Sequence, residues 1–265
     1  MTVTLAGIVV YPVKSLGGVP MDAAEIDEFG LRYDRRWMVV DATGRFHTQR
    51  WRPRMALIRT SLDDGGVRLR APGLPDLLVP PGGGSASGVG VWNDICVAEG
   101  CGAEADVWIS RFLGEACRLV YMPETTRRPT RRRRTESLGR VGFADAYPFL
   151  LLSDASLADL NVRLESPVPM NRFRPNLVVS GVDAYGEDGW DRLEIGDVGF
   201  VVTKECVRCV LTTVDQDTAT AGVEPLRTLA TYRKRAGGVV FGVNMSHTSH
   251  GRISVGDAVR AVAAA

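Results

Sequence analysis

The chain has 265 residues, 45% hydrophobic and 24% charged, with a net charge of +1, the balance of a globular protein whose core needs no disulfide or metal staple. So small a charge supplies no field for nucleic acid or an anionic membrane, and no apolar run approaches the roughly 18 residues of a spanning helix. Five cysteines, an odd number, read as reduced thiols, and the N-terminus lacks signal-peptide features, so a cytoplasmic location is expected.

The first third reads as strands. TVTLAGIVVY and RRWMVVD are β-branched or aromatic runs, and LIRTSL and VRLRAP alternate around a DDGG turn. Residues 80–90, PPGGGSASGVG, have the composition of a flexible loop. A helix is predicted over 103–113, with Val107, Trp108, Ile109, Phe112 and Leu113 as its apolar stripe. Residues 123–138 carry a run of arginines, Arg127, Arg128 and Arg131 to Arg134, without interleaved aromatics. This reads as a solvated loop, with docking of an acidic protein partner as the alternative. YPFLLL is a short buried strand, and Ser153 is placed to cap a helix bearing Leu157, Leu160 and Leu164. Strands are predicted again at NLVVS, DVGFVVTKE and VLTTVD, and GRISVGDAVRAV reads as a closing hairpin. The fold class expected is β-rich α+β, in two lobes divided near residue 120.

Two groups of residues could carry chemistry. Cys206 and Cys209 form a C-x-x-C between β-branched residues, so it belongs to a strand and turn rather than the helix N-terminus of a dithiol relay. With His247 and His250 the pair could make a zinc module, although the gap is longer than a zinc finger uses. The second group is cationic. Lys14, Arg35, Arg36 and Arg174 sit in otherwise apolar segments, where they form either internal salt bridges or the donors of an anion pocket. Of 32 basic residues only Lys14, Lys204 and Lys234 are lysines, which favours a chosen role for each ammonium. No Walker loop, dinucleotide fingerprint, H-E-x-x-H or G-x-S-x-G is present. The chemistry is therefore expected to reside in something bound.

YPVKSLGG, LRYDRRWMVVD, FRPNLVVSG, DGWDRLEIGD, CVRCVLTTVD and FGVN follow one another in the order and spacing of the MOSC-domain proteins. The chain resembles the branch with an N-terminal MOSC β-barrel lobe, which holds the mitochondrial amidoxime-reducing components and bacterial reductases of N-hydroxylated bases. The resemblance implies an N-terminal β-barrel-like lobe over 1–120 and a MOSC β-barrel domain with a few helices over 121–265. It implies a molybdenum cofactor, molybdopterin with molybdenum, ligated by Cys209, which thiolate softness also favours. Around the cofactor it implies Lys14, Ser15, Arg35, Asp145, Ser153, Arg174, Asn176, Val207 and Asn244, with Asp183 facing substrate. The activity implied is reduction of amidoximes, hydroxylamines or N-hydroxylated base analogues. With no ferredoxin module or flavin motif in the sequence, electrons are expected from a separate ferredoxin, cytochrome or flavoprotein partner. The alternative within the resemblance is a molybdopterin-binding or sulfur-carrier protein without reductase activity.

Overall fold

A computed structural model describes residues 2–130 and 138–263. Among the described residues there are nineteen strands and three α-helices, the longer strands built mostly from β-branched and aromatic runs. The largest sheet has nine strands. Its order runs Val259–Ala263, Trp190–Ile195, Val198–Val207, Gly238–His247, Phe149–Ser153, Leu177–Ser180, Thr4–Val10 and Val19–Met21, with Lys234–Arg235 pairing beside Gly238–His247. All its pairings are antiparallel except that of Phe149–Ser153 with Leu177–Ser180. Parallel neighbours need a crossover, and the helix Asp154–Arg163 supplies it. Leu5, Ile8, Leu177, Phe149, Phe200, Val243 and Met245 make the core under this sheet.

The second body is built on a four-stranded sheet ordered Trp37–Asp41, Cys117–Tyr121, Asp94–Gly100 and Ala86–Val91. A hairpin, Arg59–Asp63 with Gly66–Arg70, joins Leu77–Val79 beside it. Trp37, Met55, Trp108, Ile109, Phe112 and Leu119 form its core. The two bodies are not consecutive along the chain. Thr4–Val10 and Val19–Met21 complete the sheet of the second half, and Ala23–Asp27 pairs with Gly251–Ser254 from near the C-terminus. A cut near residue 120 would separate these strands from the sheets that hold them.

Several local expectations are corrected. The strand Ala86–Val91 occupies half of the segment read as a loop, because its Gly and Ser residues pair along the Asp94–Gly100 strand. VLTTVD is a 3-10 turn over Val210–Thr213, where the Thr213 hydroxyl donates to the Val210 carbonyl and satisfies backbone that a strand would have paired. GRISVGDAVRAV is no hairpin, since Gly251–Ser254 and Val259–Ala263 pair in different sheets. The helix Ala103–Leu113 forms where predicted, but Val107 points to solvent and Ala105 replaces it on the buried face.

Ser153 caps the helix Asp154–Arg163: its hydroxyl accepts from the Ser156 amide at 3.0 Å. The hydroxyl also reaches the fully buried Glu187 carboxylate at 2.9 Å, which receives the Ser156 hydroxyl at 2.8 Å. Ser153→Ala removes the cap and leaves a buried carboxylate oxygen short of a donor. It should lower unfolding free energy by about 1–3 kcal/mol, read from urea denaturation.

Candidate functional site

A cavity of about 260 Å³ lies where the two bodies meet. Its lining includes six basic side chains, Lys14, Arg35, Arg50, Arg174, Lys204 and Arg208, one carboxylate, Asp145, and two thiols, Cys206 and Cys209. Both thiols are free. The strand Val198–Val207 delivers the end of this set. Its register against Gly238–His247 slips between Val202 and Lys204 and again between Glu205 and Val207. These bulges re-aim side chains, so that Lys204, Cys206 and Val207 all reach the cavity, facing Asn244 from the neighbouring strand. Cys209 follows as the residue preceding the Val210–Thr213 turn. Arg172 steadies that turn by donating to the Thr212 and Glu224 carbonyls at 2.9 and 3.0 Å.

The charges form a chain of contacts that ends on sulfur. Lys14 Nζ meets Asp145 Oδ1 at 2.5 Å and the Phe143 carbonyl at 2.8 Å. Arg50 Nη2 meets Asp145 Oδ2 at 2.7 Å, and Arg50 Nε donates to Cys209 Sγ at 3.3 Å. Trp92 Nε1 donates to Asp145 at 3.1 Å, and its ring lies 4.8 Å from the Arg50 guanidinium. Burial pushes the Lys14 ammonium down to about 8 against the pull of Asp145. Burial works to raise the Asp145 carboxyl, but Lys14 and Arg50 outweigh it and hold it well below the usual carboxylate range. Burial likewise opposes the charge on Arg50, yet Asp145 and the Cys209 sulfur leave its pKa raised.

A second cationic arm is held on Tyr11, whose ring centroid lies 4.5 Å from the Arg35 guanidinium and 4.2 Å from that of Arg174. Arg35 is paired with Asp34 and donates to Asn176 Oδ1 at 2.8 Å. Asn176 in turn donates to Val9 O and Asp34, which ties this corner to the first strand. Arg174 donates to the Leu16 carbonyl at 2.6 Å and has no ion-pair partner among the described residues. Burial first, and then the neighbouring Arg35, push its pKa down to about 10. Arg208 Nε is buried without a hydrogen-bond partner, while its Nη1 reaches Cys206 Sγ at 3.0 Å. Ser15, Arg35 and Arg174 all adopt the left-handed backbone region, with φ of 65°, 47° and 56°. Such strain persists only where the surroundings enforce it, and it gathers at ligand sites.

Lys14, Ser15, Arg35, Asp145, Arg174, Asn176, Val207, Cys209 and Asn244 are thus brought together around one space. Ser153 and Asp183 are not. Ser153 is committed to its helix cap, and Asp183 is exposed in the turn after Leu177–Ser180, where its carbonyl accepts from Gly186. The zinc module is also excluded by geometry. Val207 pairs with Val240 whereas His247 pairs with Phe200, and seven residues of strand place the histidine roughly 20 Å along the sheet from the cysteines. There His247 is fully buried, edge-on to Phe149.

Sequence reasoning missed Arg50, Arg128 and Arg208, the last of which lies between the two cysteines of the motif. Nothing local marks Arg50; it reaches Cys209 across a junction that Gln49 and Gln216 close with reciprocal amide bonds at 3.2 and 3.0 Å. Arg128, read as part of a solvated run, is 2% exposed and donates to the Gly142, Ala144 and Asp145 carbonyls. It shapes the segment that presents Asp145. Gly142 permits that segment to pass, since a Cβ there would lie 2.7 Å from the Arg35 carbonyl. Arg131 to Arg134 lie outside the described residues. Lys204, one of three lysines, lines the cavity as its scarcity suggested.

Residues 2–116 match the MOSC N-terminal beta barrel domain and residues 139–260 the MOSC domain. The chain is 42% identical over 244 residues to human mitochondrial amidoxime-reducing component 1, covering 87% of this chain and 72% of that protein. It is 39% identical to the human component 2 over 87% of this chain and 72% of the relative. Against the bovine component 2 it is 37% identical over 97% of this chain and 82% of the relative.

The Lys14 value gives the cavity a pH dependence with a defined sign. Lys14 is a cation below pH 8 and loses its charge above it. Affinity for a polyanionic probe such as pyrophosphate, measured calorimetrically, should fall as pH rises through about 8. In Lys14→Met that inflection should be absent.

Proposed function

The chain belongs to the MOSC-domain family, and on that footing we propose that it is an oxidoreductase reducing N-hydroxylated compounds with a molybdenum cofactor. Amidoximes, hydroxylamines and N-hydroxylated base analogues are the substrates, and a separate ferredoxin, cytochrome or flavoprotein supplies the electrons. The observation that carries the proposal is a Cys209 thiol opening into a cavity of six cations and one carboxylate.

The donor set fits such a group. Thiolate is the protein ligand suited to a soft, sulfur-bound metal, and a phosphorylated pterin needs several fixed cations. Among the described residues Arg174 has no ion-pair partner and Arg208 Nε no hydrogen-bond acceptor, so each has a buried donor to offer. When bound, the group supplies two-electron oxygen-atom chemistry.

The protein's residues divide the remaining work. Cys209 supplies the sulfur ligand, and Arg50 Nε holds that sulfur in place. Arg35 and Arg174, braced on Tyr11, bind the anionic end. Asn176 fixes Arg35 rather than being free to bind on its own account. Lys14 Nζ, with a pKa near 8, holds a proton it can release close to neutral pH, next to Asp145. Val207 and Asn244 contribute wall.

Cys209→Ser in cofactor-loaded protein should abolish benzamidoxime reduction driven by a chemical or flavoprotein donor, and wild-type turnover in that variant would refute the assignment. Arg174→Ala should lower molybdenum per chain, by about 10-fold or more, because a phosphate charge is left unpaired. Loaded wild-type protein that binds the group yet never turns over would make the chain a carrier instead.

A further inference from the structure

A second cluster of donors, none of them in the cavity lining, is not used by the proposed reaction. His47, Glu115 and Cys117 each offer one ligand atom, and these atoms lie within 4.8 Å of one another. We propose that this cluster is a zinc site that pins the segment carrying Arg50.

Two independent observations point to a ligand there. His47 is 6% exposed, and both its ring nitrogens are buried with no hydrogen-bond partner among the described residues. A buried imidazole with neither nitrogen satisfied lacks the compensation that burial of polar groups requires, and coordination provides it. The donor types are the second observation. Imidazole nitrogen, thiolate and carboxylate are the three ligands that zinc takes, and a water would complete four-coordination. Tetrahedral donors at ordinary zinc distances stand roughly 3.3–3.8 Å apart, so side-chain adjustments of about 1 Å close the set around an ion. Cys117 gives up its thiol proton when the ion binds.

The scaffold around the cluster is rigid. Cys117 opens the strand Cys117–Tyr121, and Ser110 Oγ bonds both its amide and its carbonyl, at 2.9 and 3.0 Å. Gly114, in the left-handed region at φ 76°, ends the preceding helix and turns the chain toward Glu115. His47 is tied to the edge strand Trp37–Asp41 through its amide, which donates to the Val39 carbonyl at 2.8 Å. Arg52 holds Glu115 from outside, with Nη2 to Oε2 at 2.9 Å. A carboxylate has lone pairs enough to accept that guanidinium and still ligate, and such outer partners normally orient metal-bound carboxylates. Asp41, the cross-strand partner of Cys117, adds negative potential on the same side.

The placement gives the ion a role. His47 stands three residues before Arg50, and Arg52 two residues after it, so one ion fixes both flanks of the residue that contacts Cys209 Sγ. The site stands independently of the cofactor proposed for the cavity.

Cobalt(II) is the probe, because thiolate ligation gives it a charge-transfer absorption. EDTA-stripped chain carrying Cys206→Ser and Cys209→Ser, which removes the cavity thiols, should bind a single equivalent and show that absorption. Adding Cys117→Ser should abolish the band. Adding His47→Gln, which keeps the volume close, should weaken cobalt binding by about 10-fold or more while far-ultraviolet circular dichroism stays unchanged. Zinc at about 100 times its dissociation constant should raise the melting temperature of the cavity-thiol variant by about 5 °C, and that of the His47→Gln variant, at the same zinc concentration, by about half as much or less. Binding without the charge-transfer band, or a band that survives Cys117→Ser, would overturn the proposal.

Discussion

The structure depends on concentrating positive charge in a partly dehydrated space. Six cations face one another across a cavity of about 260 Å³ with Asp145 as the one acidic side chain among the lining residues. Burial disfavours charge and like charges repel, which holds the pKa values of the buried Lys14 and Arg174 below their ordinary range. The fold offsets this with only two carboxylates, Asp145 between Lys14 and Arg50 and Asp34 beside Arg35, and otherwise with aromatic faces and carbonyls: Tyr11 under Arg35 and Arg174, and the Leu16, Phe143 and Phe173 carbonyls under Arg174, Lys14 and Arg208. The aromatic faces and carbonyls stabilise guanidinium and ammonium groups without neutralising them. The net positive charge therefore stays available to an anion, which is what a binding site needs and a structural salt bridge does not provide.

Holding that arrangement requires both bodies at once. Lys14, Arg35 and Arg50 come from the first fifth of the chain, whereas the thiols, Lys204 and Arg208 come from its last quarter. Shared strands bring the two together, and smaller bonds set the final positions. The Gln49–Gln216 amide pair locks the Arg50 segment to the cysteine loop. Arg128 threads its guanidinium through the carbonyls of 142–145, and Arg172 supports the turn after Cys209. None of these three touches the space they shape. The three left-handed residues, Ser15, Arg35 and Arg174, show that backbone preference has yielded locally to the site.

Arg128 and Arg174 illustrate how far pattern reasoning reaches. Both arginines turn out buried, although their sequence surroundings differ. Arg174 could be singled out because apolar strand residues follow it and because its motif matches a family. Arg128 belongs to a run of like charge, where solvation is the ordinary outcome, and only the returning 142–145 segment buries it. Ser153 shows the opposite case. Its local role as a cap was legible from its place before a leucine-spaced helix, and that role excludes the one implied by resemblance. Asp183 had no pattern of its own and lies in an exposed turn.

By itself the sequence determined the β-rich class, most strand positions, the helix over 103–113, the family, both cavity thiols and the cations Lys14, Arg35 and Arg174. These follow from short-range periodicity, turn residues and motif order, which act within some ten residues of chain. Tertiary structure alone decided that the N-terminal strands join the C-terminal sheet, that His247 stands far from the cysteines, that Arg50 reaches sulfur, and that His47 meets Glu115 and Cys117. Those outcomes depend on strand register, bulges and packing between residues distant in sequence. A one-residue shift in any of those pairings would turn the same side chains to the opposite face.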